Sequence, residues 1–335
     1  MKPYLSPLVL QRADPYLLKH NGKYYFTATC PEYDRIELRC ADTVNGIATA
    51  SARVVWNKHE SGELACHIWA PELHYIMGKW VIYFAAGHIP EIWKIRPYAL
   101  ICKGDDPMKD EWVEGGMMQP AADDEYSFTD FSLDMTVFEH KNKWYAIWAQ
   151  KFGTEEAPTP ISNLYIAEME TPTKLKTVLV LLTTPDYDWE RQGGFWVNEG
   201  PAVLKSNGRI YCSFSASATG ACYCMGLLSI DENDDLLDPR RWVKSRYPVM
   251  KTDESLKIYG PGHNCFTTGD DGEIVTLLHF RNYEKITGDP LDDHNRHAHV
   301  MRVQFDKDGA PLFLPDKAQL YNTPFENEKQ KNINA

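Results

Sequence analysis

Clusters of basic residues are missing from this sequence. Its 35 Lys and Arg are outnumbered by 47 Asp and Glu, which gives a formal net charge of −12. Binding to nucleic acid through counterion release needs several lysines and arginines close together, so the composition argues against a nucleic-acid partner. With 43% hydrophobic residues over 335 positions, the chain is too apolar for a disordered tail and long enough to bury a substantial core.

Long apolar runs are absent as well. The longest uncharged one, residues 178–182, is far shorter than the roughly 20 residues of a membrane-spanning helix. The first 14 residues lack the apolar centre of a secretory signal peptide. No Cys-x-x-Cys pair occurs among the eight cysteines, which predicts buried free thiols rather than a zinc or thiol-exchange site. Together these absences predict a cytoplasmic protein with no membrane partner.

Sustained apolar spacing at three and four residues, the pattern of an amphipathic helix, is also lacking. The chain is instead rich in aromatic residues (12%) and contains 21 Gly and 21 Pro. Aromatic side chains favour half-buried strands, and Gly and Pro favour turns. The sequence therefore predicts an all-β protein.

One unit recurs along the chain: a small or acidic start, an apolar stretch, a turn centred on Gly or Asn, and an aromatic strand. The five copies cover residues 14–29, 71–86, 134–149, 199–216 and 263–280, with turns centred on Gly22, Gly78, Asn142, Gly208 and Gly272. Each copy has the pattern of a β-hairpin. Successive turns are 56 to 66 residues apart, which leaves room for four short strands per copy.

Four-stranded antiparallel sheets repeated around an axis form a propeller, so the repeats predict a five-bladed β-propeller. A two-sheet sandwich is the alternative, but it gives no reason for the same hairpin to return at this period. We predict a single catalytic domain over residues 1–325 and a polar C-terminal tail at residues 326–335.

Acidic residues occupy equivalent places in three copies, eight or nine positions before the turn; they are Asp14, Asp134 and Glu199. The inner strands of a propeller start at one end of its channel, so these carboxylates are expected to converge. Crowded carboxylates differ in pKa, which is the condition for paired acid and base catalysis on an acetal. The alternatives are turn or cap residues, or a cation cage completed by His263, although no calcium-loop pattern surrounds these acids.

Several motifs together resemble glycoside hydrolase family 43, and in particular its exo-acting α-L-arabinofuranosidases. The motifs are ADPYLL, IWAPE, SLDMT, NEGP, YGPGHN and HFRNY, and they are spread over all five copies. The segments PEYDRIEL and GDPLDDHNRHAH are more similar to the arabinofuranosidase branch than to the β-xylosidase branch, which usually appends a β-sandwich domain.

The resemblance implies a role for each acid. Asp14 is expected to be the general base that activates water, Glu199 the general acid, and Asp134 the carboxylate that orients the acid and tunes its pKa. Members of the family invert the anomeric configuration, so a water molecule must fit between base and acid.

Three further residues are expected in the sugar pocket. Arg281 lies at the end of a strand in the fifth copy, where the family has an arginine that binds sugar hydroxyls; a solvated surface arginine is the alternative. Trp69 and Tyr33 are candidates for flat apolar walls against the sugar, with core aromatics as the alternative.

Histidines are the remaining candidates for a functional role. The resemblance implies that His263 lies in the channel near a hydrated ion or a water; a channel-lining imidazole without an ion is the alternative. No cofactor is expected to be required, although a structural calcium or other channel ion is left open. His294, His297 and His299 have metal-like spacing but are expected to be structural.

The resulting prediction is an inverting, exo-acting hydrolase that releases terminal α-L-arabinofuranosyl residues from arabino-oligosaccharides with α-1,5 linkages. A β-xylosidase or dual-specificity enzyme is the alternative within the family, and a non-catalytic sugar-binding propeller the alternative outside it. Exo action is expected because bulky segments can close one side of the pocket; they are residues 31–38, 66–72, 88–98 and 186–196.

Overall fold

The fold is all-β, as the composition predicts. A computed structural model describes residues 3–152, 161–316 and 320. The predicted tail at residues 326–335 and the domain boundary before it lie outside the described residues. None of the helices in these ranges is long and apolar enough to cross a membrane.

The first two repeats each form a four-stranded antiparallel sheet whose strands follow chain order. The first sheet contains β1 (Ala13–His20), β2 (Lys23–Thr29), β3 (Arg35–Ala41) and β4 (Arg53–Asn57), with a 3-10 helix at Asn45–Ala48. The second contains β5 (Gly62–Ile76), β6 (Lys79–Ile89), β7 (Arg96–Cys102) and β8 (Trp112–Met117).

The third and fourth repeats share one nine-stranded sheet. The third supplies β9 (Ser132–His140), β10 (Lys143–Phe152), β11 (Ile161–Thr171), β12 (Lys174–Leu175) and β13 (Val180–Thr183). The fourth supplies β14 (Trp196–Ser206), β15 (Arg209–Ala216), β16 (Cys224–Asp231) and β17 (Val243–Lys244), with 3-10 helices at Asp188–Glu190, Gln192–Gly194 and Pro239–Arg241. A short parallel pairing of Ile161 and Ser162 with Trp196 and Val197 joins the two repeats.

The fifth repeat forms a three-stranded sheet of β18 (Tyr259–Thr268), β19 (Ile274–Arg281) and β20 (His297–Arg302), preceded by a 3-10 helix at Glu254–Leu256. A separate pair, β21 (Gln304–Phe305) and β22 (Pro311–Leu312), follows. The N-terminal segment returns to this repeat, because the backbone of Leu8 and Val9 hydrogen-bonds with Ala298 of β20.

Large aromatic side chains fill the space between neighbouring repeats. The second strand of every repeat carries one that is fully buried: Tyr24, Tyr83, Trp148, Phe214 and Phe280. Buried side chains of β1 and β2 also pack with those of β18, β19 and β20, so the first and last repeats are in contact. The hydrophobic effect therefore holds successive repeats together, and the polar strand starts are left around the middle.

The first strand of each repeat contains a residue with a left-handed backbone next to a break in the strand register. The five residues are Asp14 (φ 53°), Ala70 (φ 47°), Asp134 (φ 55°), Gly200 (φ 53°) and His263 (φ 44°). Such β-bulges bend the strand and redirect its side chains, and a left-handed non-glycine residue costs about 1–2 kcal/mol. The same left-handed bulge thus recurs in the first strand of all five repeats, and it is strained at the four non-glycine positions.

Ala70 offers a direct measurement of this strain. We expect Ala70→Gly to leave the free energy of unfolding nearly unchanged. Glycine loses more conformational entropy on folding than alanine and lacks the buried methyl group, but relief of about 1–2 kcal/mol of left-handed strain offsets both losses. The matched control is Ala85→Gly, in the paired strand β6, which removes an equally buried methyl from a residue without a positive φ.

Ala85→Gly should therefore destabilise the protein by about 1–2 kcal/mol more than Ala70→Gly, measured by chemical denaturation. Equal losses in the two variants would mean that the bulge at Ala70 stores no strain.

Candidate functional site

A cavity of about 400 Å³ lies where the starts of the inner strands meet. This is within the usual range for small-molecule sites. Its lining combines four acidic residues, three groups that can carry positive charge and several aromatic rings; these are Asp14, Asp134, Glu199, Asp289, Lys151, His263, Arg296, Trp69, Trp93, Phe131, Phe195 and Tyr223. Residues far apart in sequence converge because each inner strand has its bulge at the same level.

Asp14 is buried and surrounded by hydrogen-bond donors and positive charge. The Thr29 hydroxyl donates to its Oδ2 at 2.6 Å, the His263 Nδ1 lies 3.2 Å from Oδ1, and the Arg296 Nη1 lies 3.7 Å from Oδ1. Burial alone would raise the pKa of Asp14, but the charge and hydrogen bond of His263 and the charge of Arg296 hold it well below its ordinary value. Asp14 is therefore a carboxylate over the working pH range.

Two neighbouring histidines differ in charge: His263 is cationic and His279 is neutral. Burial lowers the pKa of His263, but the charges of Asp134 and Asp14 outweigh this effect and raise it to about 10. Burial lowers the pKa of His279 to about 4. The His279 Nδ1 accepts the backbone N–H of Asp14 at 3.1 Å, which assigns the neutral tautomer with the proton on Nε2. His263 is thus a cation within the site, and His279 is a neutral support for the backbone of Asp14.

The pKa values of Asp134 and Glu199 are both raised. For Asp134 burial is the main cause, and the negative charges of Glu199 and Asp14 add to it; the Gly200 amide donates to its Oδ2 at 3.1 Å. For Glu199 burial is again the main cause, and a hydrogen bond from the Tyr223 hydroxyl at 2.8 Å partly opposes it. The cavity therefore combines an ionised carboxylate with carboxyl groups that hold a proton more readily than usual.

One wall of the cavity is built by a cluster of flat rings. The ring of His67 packs against Trp69, at a centroid distance of 4.5 Å, and against Trp93, at 4.8 Å, while the two tryptophan rings are tilted to each other at 6.3 Å. Trp69 is almost fully buried, whereas Trp93 is 54% exposed. Trp69 and Trp93 therefore give the cavity an aromatic surface from its interior to its rim, and such a surface suits the C–H faces of a sugar.

The structure brings most of the sequence-predicted residues together and excludes two. Asp14, Asp134, Glu199, His263 and Trp69 all line the cavity. Tyr33, in contrast, packs edge-on against Trp69 at 5.7 Å, and its hydroxyl donates to the Leu291 carbonyl at 2.5 Å. It supports the wall and the neighbouring loop rather than forming the surface.

The expectation that Arg281 binds sugar hydroxyls is corrected by the structure. Its guanidinium is buried and donates to the backbone carbonyls of Pro290 at 2.7 Å and Asp293 at 3.1 Å. Its donors therefore hold the loop whose residues Asp289, Pro290 and Leu291 line the cavity. The arginine that lines the cavity is Arg296.

Sequence reasoning missed four residues of the site: Lys151, Tyr223, His279 and Arg296. Arg296 stands within the histidine-rich segment already singled out, so a charged residue just before a strand was the available signal. Tyr223 and His279 carry no sequence signal, because their importance comes from contacts with Glu199 and Asp14 over long sequence separations.

The histidines with metal-like spacing have structural partners. The His297 Nδ1 accepts the Gln11 amide at 2.9 Å, and His299 is hydrogen-bonded to Ser6 and stacked on Phe280. Within residues 3–152, 161–316 and 320, no group of three or more His, Cys, Asp or Glu is arranged to hold a metal ion. Around His263 the Nδ1 atom faces carboxylates and Arg296 adds a second cation, so the described donor set does not fit an ion there.

Comparison with known proteins gives consistent matches. The sequence model of Glycosyl hydrolases family 43 matches residues 4–311. A Streptomyces chartreusis protein named extracellular exo-alpha-(1->5)-L-arabinofuranosidase is 47% identical over 290 residues, covering 86% of this chain and 85% of the relative. A Streptomyces avermitilis protein of the same name is 44% identical over 331 residues, covering 96% of this chain and 67% of the relative.

Among solved structures, the chain is similar to an alpha-L-arabinofuranosidase from Lactobacillus brevis. The sequence identity is 48%, the match covers 96% of this chain and 98% of the other, and the TM-score is 0.87.

The predicted cytoplasmic location is contradicted by these comparisons, because two relatives are named as extracellular proteins. The prediction rested partly on free thiols. In the structure five of the eight cysteines are buried, and burial raises the pKa of Cys212 and Cys265 to about 12. Such thiols stay protonated and unreactive in any compartment, so they do not report on location.

The two site histidines should titrate far apart. At neutral pH we expect His263 to be doubly protonated and His279 to be neutral, since their pKa values are about 10 and about 4. Imidazole ¹⁵N NMR measures both states, and His263→Asn and His279→Asn assign the signals. Because the folded-state pKa of His263 lies above its ordinary value of 6.5, its contribution to stability is complete below that pH and declines as the pH rises towards 10. Titration of both rings near 6.5 would contradict this description.

Proposed function

The chain belongs to glycosyl hydrolase family 43, and from this premise we propose that it is an inverting exo-acting α-L-arabinofuranosidase that removes terminal α-1,5-linked arabinofuranosyl units from arabino-oligosaccharides. It is a glycoside hydrolase. The observation that carries the proposal is the pairing, in one cavity of about 400 Å³, of the ionised Asp14 with a general-acid candidate, Glu199, whose pKa is raised. The names of the relatives supply the substrate class.

The architecture proposed for this enzyme is a five-bladed β-propeller. Three features support it: the bulge that recurs in five inner strands, the packing of β1 and β2 against the last repeat, and the backbone pairing of Val9 with Ala298. A closed ring leaves few strand edges exposed and directs all five strand starts to one site.

In the proposed reaction Asp14 is the general base. It takes a proton from a water molecule whose oxygen attacks the anomeric carbon. The surrounding positive charge keeps Asp14 ionised and therefore able to accept a hydrogen bond from that water. Thr29 holds the other carboxylate oxygen, so the direction of the base is fixed before substrate binds.

Glu199 is the proposed general acid, and it must be protonated when the glycosidic bond breaks. Burial raises its pKa, which favours that state. Asp134 is proposed to orient it, since Asp134 accepts the backbone N–H of Gly200, the residue that follows Glu199. The negative charge of Glu199 also raises the pKa of Asp134, so the two carboxyls do not ionise independently.

Sugar binding is proposed to involve Trp69 as the apolar wall and Arg296 as the donor to sugar oxygens. Arg296 is 7% exposed and borders the cavity, and its Nε has no hydrogen-bond partner among the described residues. A planar guanidinium with uncommitted donors suits neighbouring hydroxyls on a ring.

Removal of either proposed proton-transfer group should abolish most activity without unfolding the protein. We expect Asp14→Ala and Glu199→Ala to lose about 10²- to 10⁴-fold in kcat on α-1,5-arabinotriose. Glu199→Ala should lose less on 2,4-dinitrophenyl α-L-arabinofuranoside, whose leaving group needs no proton. Glu139→Ala, an exposed glutamate on the same strand as Asp134, is the matched control and should keep wild-type rates.

The same assays separate the alternatives. The wild-type protein is assayed in addition with the corresponding dinitrophenyl β-xyloside. Equal turnover of the xyloside and the arabinofuranoside would favour the dual-specificity alternative, and turnover of neither would favour a sugar-binding protein. Substantial residual turnover of arabinotriose by Asp14→Ala would remove Asp14 from the base role.

The mode of attack follows from the rim of the cavity. Trp69, Trp93 and Phe195 belong to three of the bulky segments expected to close one side, and all three border the cavity. Linear α-1,5-arabino-oligosaccharides should therefore be shortened one arabinose at a time, with the β-anomer of arabinose released first because the reaction inverts.

Chromatography of early products and ¹H NMR of the fresh anomer test both parts. Early arabinobiose or arabinotriose from a long substrate would indicate an open groove, and α-arabinose as the first anomer would exclude inversion.

A further inference from the structure

Tyr223 is a buried residue of the cavity whose role the reaction described above leaves open. It is 2% exposed, lies just before β16, and its hydroxyl donates to Oε1 of Glu199 at 2.8 Å. A buried tyrosine hydroxyl usually has a partner, so this contact alone does not distinguish a structural bond from a functional one.

The ring of Tyr223 packs closely against β18 and β19. It stacks almost parallel on His279, with an interplanar angle of 6° and a centroid distance of 5.8 Å. Gly262 allows its close approach, because a Cβ atom at position 262 would lie only 2.3 Å from the Cε1 of Tyr223. The position of the hydroxyl is therefore set by packing rather than by its hydrogen bond to Glu199.

The direction of the hydrogen bond is also set. Ser215 accepts the backbone N–H of His263 at 2.7 Å and hydrogen-bonds to the Tyr223 oxygen, which favours donation by the Tyr223 hydroxyl to Glu199. A donor on Oε1 leaves that oxygen as an acceptor, so a proton on Glu199 must reside on the other oxygen, Oε2.

We propose that Tyr223 is a positioning residue for the general acid, which reserves Oε1 of Glu199 as an acceptor and so confines the transferable proton to Oε2. The inference rests on the proposed function. In the step concerned, the proton on Oε2 moves to the glycosidic oxygen as the bond between that oxygen and the anomeric carbon breaks. At the same time the water oxygen bonds the anomeric carbon and gives a proton to Asp14.

The same wall also holds the base. His279, on which Tyr223 stacks, accepts the backbone N–H of Asp14. Acid and base are thus each hydrogen-bonded to one ring of the same stacked pair, which restricts changes in their separation while a water and a sugar enter between them.

The test is Tyr223→Phe, which keeps the ring and its stacking and removes only the hydroxyl. On α-1,5-arabinotriose kcat should fall roughly 10- to 100-fold with little change in KM, the range expected for a hydrogen bond to a charged group. On 2,4-dinitrophenyl α-L-arabinofuranoside the loss should be much smaller, because that leaving group departs without a proton.

The alkaline limb of the arabinotriose pH profile should move to higher pH in Tyr223→Phe, since the ionised form of Glu199 loses a donor. The other charged groups around Glu199 are Asp14 on β1, Asp134 on β9, Lys151 on β10 and His263 on β18, and the variant leaves all of them in place. Tyr211→Phe, on β15 and outside the cavity lining, is the matched control and should behave as wild type.

Two further variants separate positioning from a structural role. Ser215→Ala should give the same dependence on leaving group as Tyr223→Phe, with a smaller loss. Without Ser215 the Tyr223 oxygen stays in place, but its O–H bond can turn away from Glu199. In a Glu199→Ala background, adding Tyr223→Phe should change turnover of the dinitrophenyl substrate less than twofold, since Tyr223 acts through Glu199.

Equal losses on both substrates with an unmoved alkaline limb, no loss at all, or a further loss in the Glu199→Ala background would each overturn the assignment of Tyr223. Failure of the proposed function is distinct, because wild-type protein would then hydrolyse neither arabinofuranoside. Thermal melting of each variant identifies any that fails to fold, and Ser215→Ala then decides the matter.

Discussion

The left-handed bulge in the first strand of each repeat is the constraint on which the site depends. A regular strand would alternate its side chains between the two faces of a sheet. Without the bulge, Asp14 and Asp134 would each point to one face of their sheet and not into the cavity. The bulge breaks this alternation at the same level in all five repeats and turns the neighbouring side chains inward. Ala70 adopts the same backbone without contributing a polar group, which suggests that the geometry belongs to the repeat and that chemistry is added to it at individual positions.

Convergence of three carboxylates would be unfavourable without a compensating charge. His263 supplies it from the fifth repeat, with its Nδ1 3.2 Å from Asp14 and 3.8 Å from Asp134. The three carboxylates are not stabilised equally. Asp14 also has Arg296 and Thr29 as partners, whereas the negative charge of Glu199 acts on Asp134. The result is one carboxylate whose pKa is lowered and two carboxyls whose pKa values are raised, and this asymmetry supports the proposed division into base and acid.

The sequence predicts the parts of this arrangement that repeat or that carry recognisable residues. The five hairpins form as expected, and their turn residues Gly22, Gly78, Asn142, Gly208 and Gly272 all have positive φ. The three acids and Trp69 were identified because equivalent positions and familiar motifs mark them. The finer claim of five four-stranded blades is weakest in the fifth repeat, where the described strands form a sheet of three and a separate pair.

The sequence does not predict contacts between side chains from different repeats. Arg281 and Arg296 are both arginines of the last repeat, and only their partners distinguish them: loop carbonyls for Arg281, Asp14 and Tyr33 for Arg296. Tyr223 and His279 are invisible for the same reason. The compartment was misjudged because buried thiols are compatible with both reducing and oxidising surroundings.

The central claim is that the free protein already holds one ionised and one protonatable carboxyl in the same cavity. Carboxyl ¹³C NMR titration of Asp14, Asp134 and Glu199, with signals assigned by single substitutions, measures it directly. The structure predicts that Asp14 titrates well below 3.8 while Asp134 and Glu199 titrate above their ordinary values of 3.8 and 4.5. Titration of all three near those ordinary values, or of Asp14 above Glu199, would contradict the account.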